Sequence, residues 1–185
     1  TLTSKLFHSL TIKAMAFASL LFTCSLTLPA YGTAWTTSVA GPINSLSNWS
    51  DGVMSPTSFT TPGDTWTISL SMTMPSPGSW IVGTASSTPD TVFFVTGGSL
   101  SASGAGSTST ITVYGDIEMN GGSLPLGGAG TFEYVNVYGD VRTTAGASFI
   151  SNGATSIMTL NVYGNYMMNG ETVKAGGASG AINMN

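Results

Sequence analysis

The sequence predicts an all-β chain: a right-handed parallel β-helix (solenoid) with coils of about 24 residues, preceded by a signal-peptide helix and an irregular N-terminal cap. Three observations predict it. A four-residue motif recurs as Val113-Tyr114-Gly115-Asp116, Val137-Tyr138-Gly139-Asp140 and Val162-Tyr163-Gly164-Asn165, at intervals of 24 and 25 residues. A second marker keeps the same beat: Gly97, Gly121, Gly146 and Gly170 are spaced 24, 25 and 24, and the first three each lie 16 residues before a motif valine. Alternation at period two leads into every motif, as in Ile111-Thr112-Val113, Val135-Asn136-Val137 and Leu160-Asn161-Val162, which is the pattern of strands.

Each unit reads as three short strands joined by Gly, Asn and Ser corners. The marker glycines are followed by an apolar residue in an extended stretch (Leu100, Leu124, Phe149, Val173), and alternation resumes beyond the Gly-Asp or Gly-Asn corner with Ile117 and Met119, Val141 and Thr143, Tyr166 and Met168. A unit this small buries no apolar face alone, so units must stack. Stacking in parallel puts Val113, Val137 and Val162 in one interior column, about 4.8 Å apart per coil, and the usual hand of parallel crossovers is right. The 25-residue step is assigned to one extra residue between Gly146 and Phe149. Ile182-Asn183-Met184-Asn185 matches Met158-Thr159-Leu160-Asn161 one unit earlier, so the sequence is expected to stop in mid-coil.

The expected organisation is a signal peptide over 1–32, an N-terminal cap with a first irregular coil over 33–90, and solenoid repeats over 91–185. Lys5, His8 and Lys13 precede an apolar run from Ala14 to Leu28, and Ala30 and Gly32 stand at the −3 and −1 positions of a cleavage site after Gly32. The run is shorter than the roughly 20 residues that span a bilayer. Membrane contact is therefore expected only through the leader during export. Cys24, the one cysteine, lies within it and reads as a small apolar residue; cleavage leaves no thiol. Residues 33–90 hold all four tryptophans, Trp35, Trp49, Trp66 and Trp80, and six of the eight prolines. A solenoid end is an unpaired edge over an open core, and this segment is the candidate cover. The alternative use of the tryptophans is a platform on which sugars stack.

Asn48-Trp49-Ser50-Asp51-Gly52, then Pro62-Gly63-Asp64-Thr65-Trp66-Thr67-Ile68, then the repeated Val-Tyr-Gly units, resemble the N-terminal parts of large secreted β-solenoid surface proteins of Gram-negative bacteria, autotransporter-like and adhesin-like, over most of residues 40–185. The resemblance implies export to the cell surface or medium and supplies no ligand.

Composition excludes several function classes. Only 6% of the chain is charged, and beyond the leader two bases, Arg142 and Lys174, face eight acids, a net of −6. Nucleic acid, whose phosphates need Lys and Arg, is excluded as a partner. His8 is the only histidine, so histidine triads and histidine-ligated zinc are absent from the mature part. The Gly-rich stretches lack the Lys-Ser/Thr of a phosphate loop. Asp116, Glu118, Glu133, Asp140 and Glu171 are the repeat carboxylates, and stacking brings Asp116 near Asp140. Such a pair suits a cation or catalysis, but Asn165 in the third copy favours corner geometry over charge. Tyr114, Tyr138 and Tyr163 should form an outward ladder, either as stacking stabilisation or as a sticky surface.

The expected function is a structural or adhesive one in a secreted or surface-displayed solenoid, without enzymatic activity, cofactor or metal, and with glycans or other cell-surface proteins as the partner classes. The alternatives are a polysaccharide-acting β-helix enzyme with its active site elsewhere and a self-assembling extracellular filament subunit.

Overall fold

The structure, a computed structural model, describes residues 32–75, 77–85, 88–102, 106–151, 153–175 and 180–185. Apart from Gly32, the expected leader lies outside the described residues. Two strands come first, β1 (Ala34–Thr37) and β2 (Trp49–Ser50). Five strand triplets follow: β3 (Thr65–Ile68), β4 (Ser71–Met74) and β5 (Gly78–Val82); β6 (Asp90–Val95), β7 (Ser99–Ala102) and β8 (Thr108–Val113); β9 (Gly115–Asn120), β10 (Ser123–Leu126) and β11 (Phe132–Val137); β12 (Val141–Thr143), β13 (Ser148–Ser151) and β14 (Ile157–Val162); β15 (Tyr166–Met167), β16 (Thr172–Ala175) and β17 (Ala181–Met184).

Each triplet gives one strand to each of three sheets, in the orders β15-β12-β9-β6-β3-β1-β2, β16-β13-β10-β7-β4 and β17-β14-β11-β8-β5. Every pairing between successive triplets is parallel. This is the expected parallel β-solenoid. Val82, Val113, Val137 and Val162 are register partners, and Ile182 stands on Met158 as the sequence match requires.

The pleat sends alternate residues inward. Trp66, Val92, Ile117 and Val141 form one buried column of the first sheet; Met72, Leu100, Leu124 and Phe149 form one of the second; Trp80, Ile111, Val135 and Leu160 form one of the third. Burying one such side chain contributes about 1.5–3 kcal/mol, which fixes register, since a slip of one residue would turn every column outward.

One detail differs from the sequence expectation. The extra residue of the 25-residue step sits before Gly146. Thr143 pairs with Met119 and Ser148 with Ser123, so Thr144-Ala145-Gly146-Ala147 spans what Asn120-Gly121-Gly122 spans a lap earlier. The first irregular coil expected within 33–90 is a full lap of the solenoid, since β3, β4 and β5 pair in parallel with β6, β7 and β8. Their steps are long and unequal (Thr65 to Thr91, Ser71 to Ser99, Gly78 to Ser109), which hides the period.

Ahead of that first triplet the chain covers the open end. β1 adds to β3 and is itself covered by antiparallel β2. Pro42 bridges Thr73 on β4, with Ile43 N–H donating to the Thr73 carbonyl (2.8 Å) and Thr73 N–H to the Gly41 carbonyl (2.9 Å). Trp49 then closes the core, stacked on Trp80 at 6.0 Å and edge-on to Trp66 at 5.1 Å.

Candidate functional site: the tyrosine ladder and the charged corner

The repeated Val-Tyr-Gly-Asp motif forms the corner between the third and first sheets. Its valine ends a third-sheet strand facing inward, and the next residue, tyrosine, points out. The glycine permits close approach. A Cβ on Gly115 would collide with the Asp90 backbone, and one on Gly139 with the Asp116 carboxylate. The marker glycines serve differently: Gly97, Gly121, Gly146 and Gly170 adopt φ of +87°, +79°, +92° and +77°, which side chains disfavour.

The acid after the glycine joins one lap to the next. Asp116 Oδ1 accepts the Asp140 N–H (2.8 Å), and Asp140 Oδ1 accepts the Asn165 N–H (2.8 Å) and its Nδ2 (3.0 Å). Stacking does bring Asp116 and Asp140 together, and the expected conflict of charge is answered by Arg142. Its Nη1 donates to Asp116 Oδ2 (2.7 Å) and Glu118 Oε1 (3.2 Å), and its Nη2 to Asp140 Oδ2 (2.7 Å). The Asn165 backbone and side-chain amides, with Arg142, hold the Asp140 carboxyl below its ordinary value, and the bond to Asp116 leads in raising the Arg142 guanidinium. In the composition Arg142 is one of two bases beyond the leader, and its count alone does not give it this role. The signal was available, because Arg142 falls 24 residues after Glu118 and is its register partner.

The tyrosines form the expected ladder. Tyr114 and Tyr138 stack with centroids 4.7 Å apart and Tyr138 and Tyr163 with centroids 4.6 Å apart, tilted by 19° and 8°. Tyr138 is 49% and Tyr163 63% exposed. Desolvation leads, and the neighbouring phenols add, in raising the Tyr138 hydroxyl above its ordinary value. Tyr138, between two rings, offers solvent its edge and hydroxyl, whereas Tyr163 is stacked on one side only. A shallow cleft of about 160 Å³ lies at its foot, lined by Thr84, Pro89, Tyr114, Gly115, Tyr138 and Gly139 among others.

The remaining carboxylates are dispersed. Glu171 accepts Tyr166 Oη (3.1 Å), Thr143 Oγ1 (2.9 Å) and the Asn169 N–H (3.1 Å). Burial pushes its carboxyl up, and these bonds, with its own backbone N–H, outweigh burial and leave it below its ordinary value. Glu133 points into the core, 2% exposed, with Oε1 unpartnered, and burial raises it to about 7. Asp64 accepts Trp35 Nε1 (2.7 Å) and Asp90 accepts Trp66 Nε1 (3.2 Å), each from the preceding lap; burial raises Asp90 to about 6. All four tryptophans are buried, which removes the sugar-platform alternative for them. Among the described residues, no group of three or more Cys, His, Asp and Glu side chains is arranged to hold a metal ion, and no helix is long and apolar enough to cross a membrane.

Comparison with known proteins yields no matching family model, no matching curated protein and no matching solved structure.

Proposed function

We propose that this is an exported β-solenoid of the cell surface or extracellular space, whose repeats serve structure and display and carry out no reaction. The observation that carries the reading is the use of the motif's polar groups. Asp116, Asp140 and Arg142 are all engaged in joining successive laps. A hydrolytic or lyase groove needs carboxylates turned toward a substrate, and here three of them share one guanidinium while Glu133 faces the core. The cationic, apolar start and the small residues before Thr33 support export. The likeness to autotransporter-like and adhesin-like solenoids supports the surface destination.

The test is expression of the whole chain in a Gram-negative host, with fractionation and N-terminal sequencing. The expected product lies outside the cytoplasm and begins at or near Thr33. A cytoplasmic product with an intact leader would overturn the reading.

A further inference from the structure

We propose that the outer face of the third sheet docks a neutral polysaccharide, centred on Phe132 and Tyr134; this rests on the display reading and names its partner class. Charge singles out the face. The outward charged residues of the described strands, Asp116, Glu118 and Arg142, lie on the first sheet, and Lys174 lies on the second. The outward residues of β5, β8, β11, β14 and β17 include no Asp, Glu, Lys or Arg. A polyanion would find no cation there on a chain that carries −6 beyond its leader, and a cationic partner would be drawn to the acids of the first sheet. An uncharged ligand is the one this face suits.

Its surface chemistry narrows the class. Phe132 is 45% and Tyr134 39% exposed, two residues apart on one strand and therefore on one face. Each rises between smaller neighbours, Phe132 between Thr108 and Ile157, Tyr134 between Thr110 and Thr159. Among the described residues neither ring stacks on another, whereas the ladder tyrosines cover one another. Beside them runs a row of amides. Asn161 Nδ2 donates to Asn136 Oδ1 (2.8 Å) and Asn185 Nδ2 to Asn161 Oδ1 (2.9 Å). Each amide nitrogen in such a row keeps a second N–H for a ligand. Aromatic rings for the C–H side of a sugar, next to amides and threonine hydroxyls on one sheet face, match an extended polyhydroxylated chain.

The experiment is retention of the full chain by cellulose, neutral xylan and mannan, against alginate and polygalacturonate as polyanions. The expected result is binding to at least one neutral polymer and to neither polyanion. It weakens by about tenfold or more when Phe132→Ser and Tyr134→Ser are combined and is unchanged by Val53→Ser, with circular dichroism showing that all variants fold. Absence of binding to every neutral polymer, or binding indifferent to the double substitution, would overturn the proposal. So would a dimer in sedimentation that the double substitution dissolves, which would assign the face to a second copy. Failed export with binding intact rejects the display reading alone; export without binding rejects only the docking face.

Discussion

Glu133 is the residue at which this fold departs furthest from an apolar interior. It stands inward on β11 between Ser109 and Met158, and the inward residues of the adjoining sheet, Leu124, Leu126, Phe149 and Ser151, bring no charge to it. Burial raises its carboxyl from 4.5 to about 7, because the ionised form loses its hydration and gains no cation. The folded value lies above the unfolded one, so its contribution is complete below pH 4.5 and is lost as pH climbs through 7, on the order of 3 kcal/mol in all. Asp90 acts in the same sense at about 6. Asp140 and Glu171, held low, act oppositely and lose their contribution in acid. Glu133→Gln should therefore flatten the fall in the urea midpoint between pH 5 and 8, whatever constant cost the amide adds. A variant whose midpoint falls with pH as steeply as the natural chain's would mean that this carboxyl is hydrated in solution.

Among the elements, the cover of the first lap is where local chemistry and stability meet most directly. β1 and the 41–43 bridge pair the edges of β3 and β4, β2 covers β1, and Trp49 fills the open core against Trp66, Trp80 and Phe59. Trp49→Ala removes a fully buried ring and should cost about 3–5 kcal/mol. Because coils contact mainly their neighbours, the loss should be local. Hydrogen exchange is expected to speed up in β3, β4 and β5 first while β11 and β14 stay protected; uniform acceleration would show a single cooperative unit instead. The covering role was legible in the sequence, because a solenoid end demands apolar bulk and prolines and tryptophans crowd into 33–90. The lap inside that segment was legible as a first irregular coil, because Trp66 and Ile68 alternate as later strands do, but its register was hidden by unequal loops. The register of β8, β11 and β14 was readable to the residue because two phased markers fixed it. The inward place of Glu133 followed from that same alternation, two residues before Val135, yet its charge set it among the repeat carboxylates available for a cation or catalysis.

At the scale of the whole molecule, a parallel solenoid is close to a one-dimensional object whose stability is a sum over laps and the contacts between neighbours. Gly115–Tyr138 is one 24-residue lap, running from one motif glycine to the residue before the next. Its removal joins Tyr114 to Gly139. Val92 then meets Val141, Leu100 meets Phe149 and Val113 meets Val162, and every inward residue stays inward. Glu133 leaves with the lap, so the loss of buried apolar surface is partly offset by the loss of its ionisation cost. Removal of 115–137 is shorter by one residue and leaves a surplus residue at the corner, where close approach to the lap below requires glycine. Either that residue is extruded as a bulge or the strands beyond it slip by one, which turns Val141, Phe149 and Leu160 toward water. The 24-residue deletion should therefore keep a β-rich circular dichroism spectrum and a urea transition with a lower m-value, in proportion to the surface lost. The 23-residue deletion should be markedly less stable or fail to fold. Equal stability of the two chains would show that lap register does not control this fold, and the interior columns would lose their standing as its source.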